Sequence, residues 1–196
     1  MSRVEEITRE IDRLQAELDA ETARRACDGC FRMKGGKPHF DAQTKAEHRK
    51  HKVTLRELRH RTPIGQLLTG PVIFSLIVPF VIIDLWVTLY MWICFPVYGI
   101  PLVRRSAFVK IDRHLLAYLN VFQKIYCAYC GYCNGVVAYV REVAGRTEAF
   151  WCPIKHATKV AGAHPRYAGF LDYGDGKDYI ARLDASRERL KDAGPE

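Results

Sequence analysis

Between Pro71 and Val103 this sequence has almost no charge: Asp84 is the single charged residue in 33 positions. It also lacks the polar face that a water-exposed helix of this length would carry, so an ordinary amphipathic surface helix is excluded there. Apolar runs beyond about 18 residues mark transmembrane helices. Other absences narrow the function. A Gly-rich phosphate loop, a nucleophile elbow and paired catalytic carboxylates are missing, which argues against a conventional soluble-type enzyme. Nothing resembling a secretory signal precedes residue 71, where the chain is charged and amphipathic, so the apolar run is expected to act as its own insertion signal. Aromatic residues are missing from the basic run 41–61, which leaves nothing to stack on bases and disfavours nucleic acid.

What is present is organised around the apolar run. Its part from Pro71 to Phe95 has 25 residues, which as a helix covers about 37 Å at about 1.5 Å per residue. That exceeds a hydrocarbon core of about 30 Å and allows some tilt. Pro79 should kink or loosen this helix. The alternative at Pro79 is a re-entrant hairpin with both arms cytoplasmic. Asp84 lies near the middle, where a charge is disfavoured by about 2.5–3.5 kcal/mol. It is expected to face a protein partner; proton or cation binding, or protonation, are the other readings. Trp86, Tyr90 and Trp92 look like an aromatic interface, followed by an exit punctuated by Pro96, Gly99 and Pro101.

The chain is basic, with a formal net charge of +8 and a mean hydropathy of −0.15 that averages one apolar block with two hydrophilic flanks. Lys52, Arg56, Arg59 and Arg61 stand before the apolar run, and Arg104, Arg105, Lys110 and Arg113 after it. The balance leaves orientation undecided by the positive-inside rule. Lys52, Arg56, Arg59, Arg61, Arg104 and Arg105 are expected to rest on lipid headgroups, at about 1 kcal/mol per cation.

The reading is an all-α membrane protein in four segments: an N-terminal amphipathic helical hairpin (1–62), the membrane segment (63–103), a cysteine-rich helical arm (104–175) and a polar C-terminal helix with a tail (176–196). In the first segment Val4, Ile7, Ile11, Leu14 and Leu18 step by three and four, a seam of about two heptads. Either this seam packs on the next helix of its own chain or residues 3–26 self-associate. The second helix is expected over 41–61. A turn-rich loop follows Cys27 and Cys30; with His39, His48 and His51 these could form an additional metal site.

The strongest chemical signal is later. Cys127-x-x-Cys130-Gly131 reads as a metal knuckle after a helix of about 108–126, and Pro153 suits the first position of a new helix placing Cys152 and His156 on one face. Cys127, Cys130, Cys152 and His156 then form a tetrahedral zinc set. Cys133 extends the spacing to C-x-x-C-x-x-C, and with Cys152 it offers the ligand types of an iron–sulfur cluster. Unmetallated thiols are the third reading. Val136, Val137, Val140 and Val143 place a helix between the two ligand pairs.

Ile111–Asn120, Cys127–Gly135, Ala138–Glu148 and Trp151–Ala157, with Val97–Pro101 and Asp84-Leu85-Trp86 upstream, together resemble a family of small uncharacterised bacterial membrane proteins over roughly residues 70–175. The resemblance implies a bacterial inner membrane, implies no known reaction, and favours Cys127, Cys130, Cys152 and His156 over a set containing Cys133. Reduced thiols place the cysteine-rich arm in the cytoplasm. Two functions are expected from these readings. One is a membrane-anchored, zinc-binding accessory or assembly subunit of a larger complex. The alternative is a membrane-tethered iron–sulfur or thiol redox protein. Partners are membrane lipids and either another protein or a second copy, engaged through the membrane segment and residues 3–26.

Overall fold

The computed structural model describes residues 3–25, 31–35, 37–54, 57, 58, 60 and 62–192. Among the described residues helix predominates, and the strands are one short hairpin and an isolated bridge, consistent with an all-α fold. The chain divides into two compact units, Met1–Leu58 with Asp112–Lys124, and Arg59–Ile111 with Ile125–Glu196. The division cuts across the four segments expected from sequence, because part of the return from the apolar helix groups with the N-terminal arm.

In the first unit, helix α1 (Arg3–Arg25) carries exposed i,i+3 and i,i+4 ion pairs such as Arg13 with Glu10 and Glu17. Its seam is not packed on a neighbouring helix: Ile7, Ile11, Leu14 and Leu18 are 47–65% exposed. The expected loop at 31–38 is an antiparallel β-hairpin, β1 (Arg32–Lys34) with β2 (Lys37–His39). Gly35, at φ +58°, takes the left-handed conformation the tight turn needs. Helix α2 (Ala42–Lys50) starts where Asp41 accepts the Thr44 amide at 2.6 Å, a bond that lowers the Asp41 pKa. It ends well short of the expected residue 61, just before the β-branched pair Val53 and Thr54.

The second unit holds the apolar run. Helix α3 (Ile64–Ser75) meets helix α4 (Ile77–Tyr98) at Leu76, whose φ −62° and ψ −15° remain right-handed helical. The two form one candidate span of 35 residues, long and apolar enough to cross a membrane. The re-entrant hairpin is therefore corrected. Pro79 falls in the first turn of α4, where a missing amide proton breaks no helical bond, so the chain continues instead of reversing. Gly99, at φ +68°, caps α4, and the Ile100 amide reaches back to the Phe95 carbonyl at 2.9 Å.

Past Gly99 the chain returns as an irregular segment containing the single-turn helix α5 (Arg105–Phe108). It then enters helix α6 (Val121–Trp151), 31 residues long. Asn120 and Gln123 start α6 by a reciprocal cap: the Gln123 amide donates to Asn120 Oδ1 at 2.9 Å, and the Asn120 amide donates to Gln123 Oε1 at 3.0 Å. That cap corrects the expected helix over 108–126. Helix α6 runs parallel to α4, with Thr88 beside Tyr139, Tyr90 beside Thr147, and Tyr98 stacked on Phe150. The core between them is Met91, Phe95, Ile100, Val103, Tyr139 and Val143. A bridge from Ile154 to Leu171, a 3₁₀ turn at Pro165–Gly169 and helix α7 (Tyr179–Asp192) close the unit.

Candidate functional site

Asp84 is buried on the inner face of α4, and its charge is answered within the chain. Arg105 donates from Nε to Oδ1 at 2.8 Å and from Nη2 to Oδ2 at 2.6 Å; Tyr132 donates its hydroxyl to Oδ2 at 2.9 Å. The bidentate fork is the strong form of this pairing. The hydrogen bond to Asp84 raises the Arg105 pKa, and burial raises that of the Tyr132 phenol, so both remain donors. The clamp ties α4, the return segment and α6 together. Two expectations are corrected here. Asp84 needs no second chain to satisfy it, and Arg105 is turned to Asp84 instead of to lipid headgroups.

A second buried network lies further along α6. Glu142 accepts from Arg146 Nε at 2.6 Å and from Arg166 Nη1 at 2.6 Å, while Arg146 Nη1 donates to the Pro101 carbonyl at 2.9 Å. Arg146 is fully buried. The return segment reaches both networks because α6 is bare where it passes. A Cβ on Gly135 would lie 2.7 Å from Val109 Cα and 2.9 Å from the Phe108 carbonyl, and one on Gly131 would lie 2.9 Å from the Lys110 carbonyl. Gly131 and Gly135 are thus helix residues that admit a neighbouring backbone, and Gly131 is not the turn residue of a knuckle.

This geometry separates the expected zinc ligands. Cys127 and Cys130 sit within α6, whereas Cys152 follows its last residue and His156 lies in non-helical chain. From Cys127 to the end of α6 at Trp151 the helix rises about 36 Å at about 1.5 Å per residue. Two thiolates on one zinc must approach within about 4.6 Å, given bonds of about 2.3 Å. Cys152 and His156 do not share a helix face either, since Pro153 leads into the Ile154–Leu171 bridge. His156 is engaged elsewhere: its peptide N–H donates to the Tyr167 hydroxyl at 2.6 Å, and its ring stacks on Tyr167.

Cys133 shares α6 with Cys127 and Cys130, at steps of three that fan the thiols around the helix. Burial pushes the Cys133 thiol up, and burial followed by Glu148 does the same to Cys152. Cys27 and Cys30 lie outside the described residues. His39 is exposed on β2, His48 packs edge-on between Phe40 and Tyr118, and His51 ends α2. Among the described residues no three His, Cys, Asp or Glu side chains converge as a metal site. Lys52 and Arg104 are exposed as headgroup contacts require, and Arg56, Arg59 and Arg61 lie outside the described residues.

Two clefts flank α6. One, of about 480 Å³, is apolar and lined by Val87, Tyr90, Val143, Trp151 and Cys152 among others. The other, of about 200 Å³, is lined by Arg141, Glu148, His156, His164 and Tyr167 among others. His164 is wedged in this cleft: its Nε2 lies 2.9 Å from Glu148 Oε2, and its ring presses against Gly145.

The chain was compared with protein-family models, curated proteins and solved structures. It matches none of them.

Sequence reasoning missed Arg105 as the partner of Asp84, and also the buried set of Glu142, Arg146 and Arg166. The available signal was Glu142 and Arg146 at i,i+4 on a helix whose other inward positions include Val136, Tyr139, Val143 and Ala149. A charged pair on an apolar stripe is a buried pair.

Proposed function

We propose that this protein is a membrane-anchored accessory or assembly protein, held in the bilayer by α3 and α4. The observation that carries the reading is exposure without charge. Ile64–Ile83 contains no Asp, Glu, Lys or Arg, and only 6% of the most apolar window is buried by the rest of the chain. The candidate span of 35 residues, Ile64–Tyr98, at about 1.5 Å per residue exceeds a hydrocarbon core of about 30 Å and leaves room for tilt. On α4 the packed face ends at Asp84, Met91 and Phe95, and the opposite face, with Trp86 at 71% and Trp92 at 66% exposed, is left for lipid.

The metal part of the expectation does not enter this reading, because the four ligands do not fit one ion. Burial raises the Cys133 and Cys152 thiols, which disfavours reactive thiolates at those two positions. The clamped carboxylate and the Glu142 network support a rigid scaffold beside the bilayer. The resemblance to small bacterial membrane proteins agrees with this reading, in which the cysteine-rich arm, with its unpaired thiols, faces the cytoplasm.

The test is expression in a bacterial host followed by alkaline carbonate washing of the membranes. The protein is expected to stay with the membranes. Impermeant thiol reagent applied to intact cells is expected to leave Cys130 unlabelled and to reach it after lysis. Recovery in the soluble fraction would reject the anchor, and labelling from outside would reject the orientation.

A further inference from the structure

We propose that the apolar seam of α1 is closed by α1 of a second copy of this chain, as a parallel, in-register two-helix coiled coil. In heptad terms Val4, Ile11 and Leu18 take position a, and Ile7 and Leu14 take position d. Ile7, Ile11, Leu14 and Leu18 all stand about half exposed or more, on one side of a 23-residue helix whose other positions are mostly Arg, Glu and Asp with Ala, Thr and Gln. An a/d stripe this narrow fits a matching stripe better than it fits a globular core. β-Branched Ile11 at a with Leu14 at d favours two strands.

Charge selects the partner's direction. In a parallel pair each g residue faces the e residue five places further along the partner, which sets Glu10 against Gln15 and Glu17 against Thr22. No like charges meet. Arg13, 2.8 Å from Glu10 and 3.7 Å from Glu17, further neutralises both acids within its own helix. Turned antiparallel with the seam fully overlapped, g faces g, so Glu10 meets Glu17 twice and Arg3 meets Arg24 twice. The charge pattern therefore fits a second copy in parallel and penalises the reverse. Glu21 at d and Arg25 at a end the seam and set its length. A seam of about two heptads is short for association in dilute solution. In this one respect the inference rests on the membrane reading, since anchoring in one bilayer raises the effective concentration of the two α1 helices.

The test uses the full chain in detergent and in vesicles. Light scattering is expected to give a protein mass twice the 22.5 kDa of one chain. A double Ile11→Asp, Leu14→Asp variant is expected to lose the dimer while keeping its helix content. In a chain with its native cysteines replaced by Ser, mild oxidation of Leu14→Cys should yield a linked dimer absent from the same chain without Leu14→Cys. A wild-type monomer in vesicles would overturn the proposal, as would a dimer untouched by the double Asp variant, or a different protein bound to the seam in place of a second copy. Linkage only when Ile11→Cys and Leu14→Cys chains are mixed would show the antiparallel pair and overturn it too. Failure of the membrane reading is seen separately, as protein recovered in the soluble fraction.

Discussion

Gly135 of α6 lies so close to Val109 of the return segment that a Cβ on it would stand 2.7 Å from the Val109 Cα. The contact is backbone on backbone, so no side chain can rotate away. It explains how an irregular segment threads between two parallel helices and delivers Arg105 to Asp84.

Gly135→Ala is therefore expected to destabilise the fold by about 1–3 kcal/mol, the usual range for overpacking. Gly131→Ala, with one backbone contact at 2.9 Å, should do less, and Gly176→Ala, with open space around it, should do nearly nothing. Thermal unfolding of the three variants in detergent checks the ranking.

Asp84→Leu leaves the Arg105 guanidinium without its carboxylate, but that group is 41% exposed and can turn to water. Arg105→Ala instead leaves a carboxylate buried, and is expected to cost about 2–4 kcal/mol, below the about 3–5 of a fully buried pair. Glu142→Ala should cost the full amount, because Arg146 is fully buried and loses the carboxylate that holds its Nε. The paired change Asp84→Leu with Arg105→Leu should be milder than Arg105→Ala. If the pair is no milder, the clamp is not the origin of the loss.

This is where the sequence was least legible. The apolar span, α1 and the C-terminal helix can be read from periodicity, composition and length, which are local properties. The partner of Asp84 cannot, because Arg105 lies 21 positions away and reaches it only after a reversal at Gly99. The cysteines misled for a related reason. C-x-x-C-G is a turn motif where glycine supplies flexibility, and here Gly131 supplies close approach inside a helix that the Asn120–Gln123 cap begins. Local spacing could not say which use of glycine applied.

Cys133 gives a pH dependence of known sign. Its pKa is raised by burial, so the folded state keeps its proton longer than the unfolded chain does. The associated stability is complete below the unfolded thiol pKa of about 8.5 and is lost as pH rises through the folded value. Denaturation at pH 7 and at pH 10 should show a loss that Cys133→Ala reduces. An equal loss in the variant would assign the effect to other groups.

Single replacements Cys127→Ser, Cys130→Ser, Cys152→Ser and His156→Ala should not act as one set. With Cys127 about 36 Å along α6 from its last residue, Trp151, and Cys152 just past that end, the four are not expected to share a metal or a protease-resistance phenotype. Cys130, exposed on α6, should react with a thiol reagent in the folded protein, and buried Cys133 only after unfolding. Parallel loss of bound metal and of protease resistance across all four variants would contradict this arrangement.

The central claim is that the outer face of α4 lies in lipid, and Trp86 measures it most directly. With Trp92 and Trp151 replaced by Phe, Trp86 is the sole tryptophan. In vesicles of lipids brominated along the acyl chain, its fluorescence is expected to be strongly quenched, and more strongly than by aqueous iodide. Quenching by iodide with none from the brominated chains would place Trp86 in water and contradict the account.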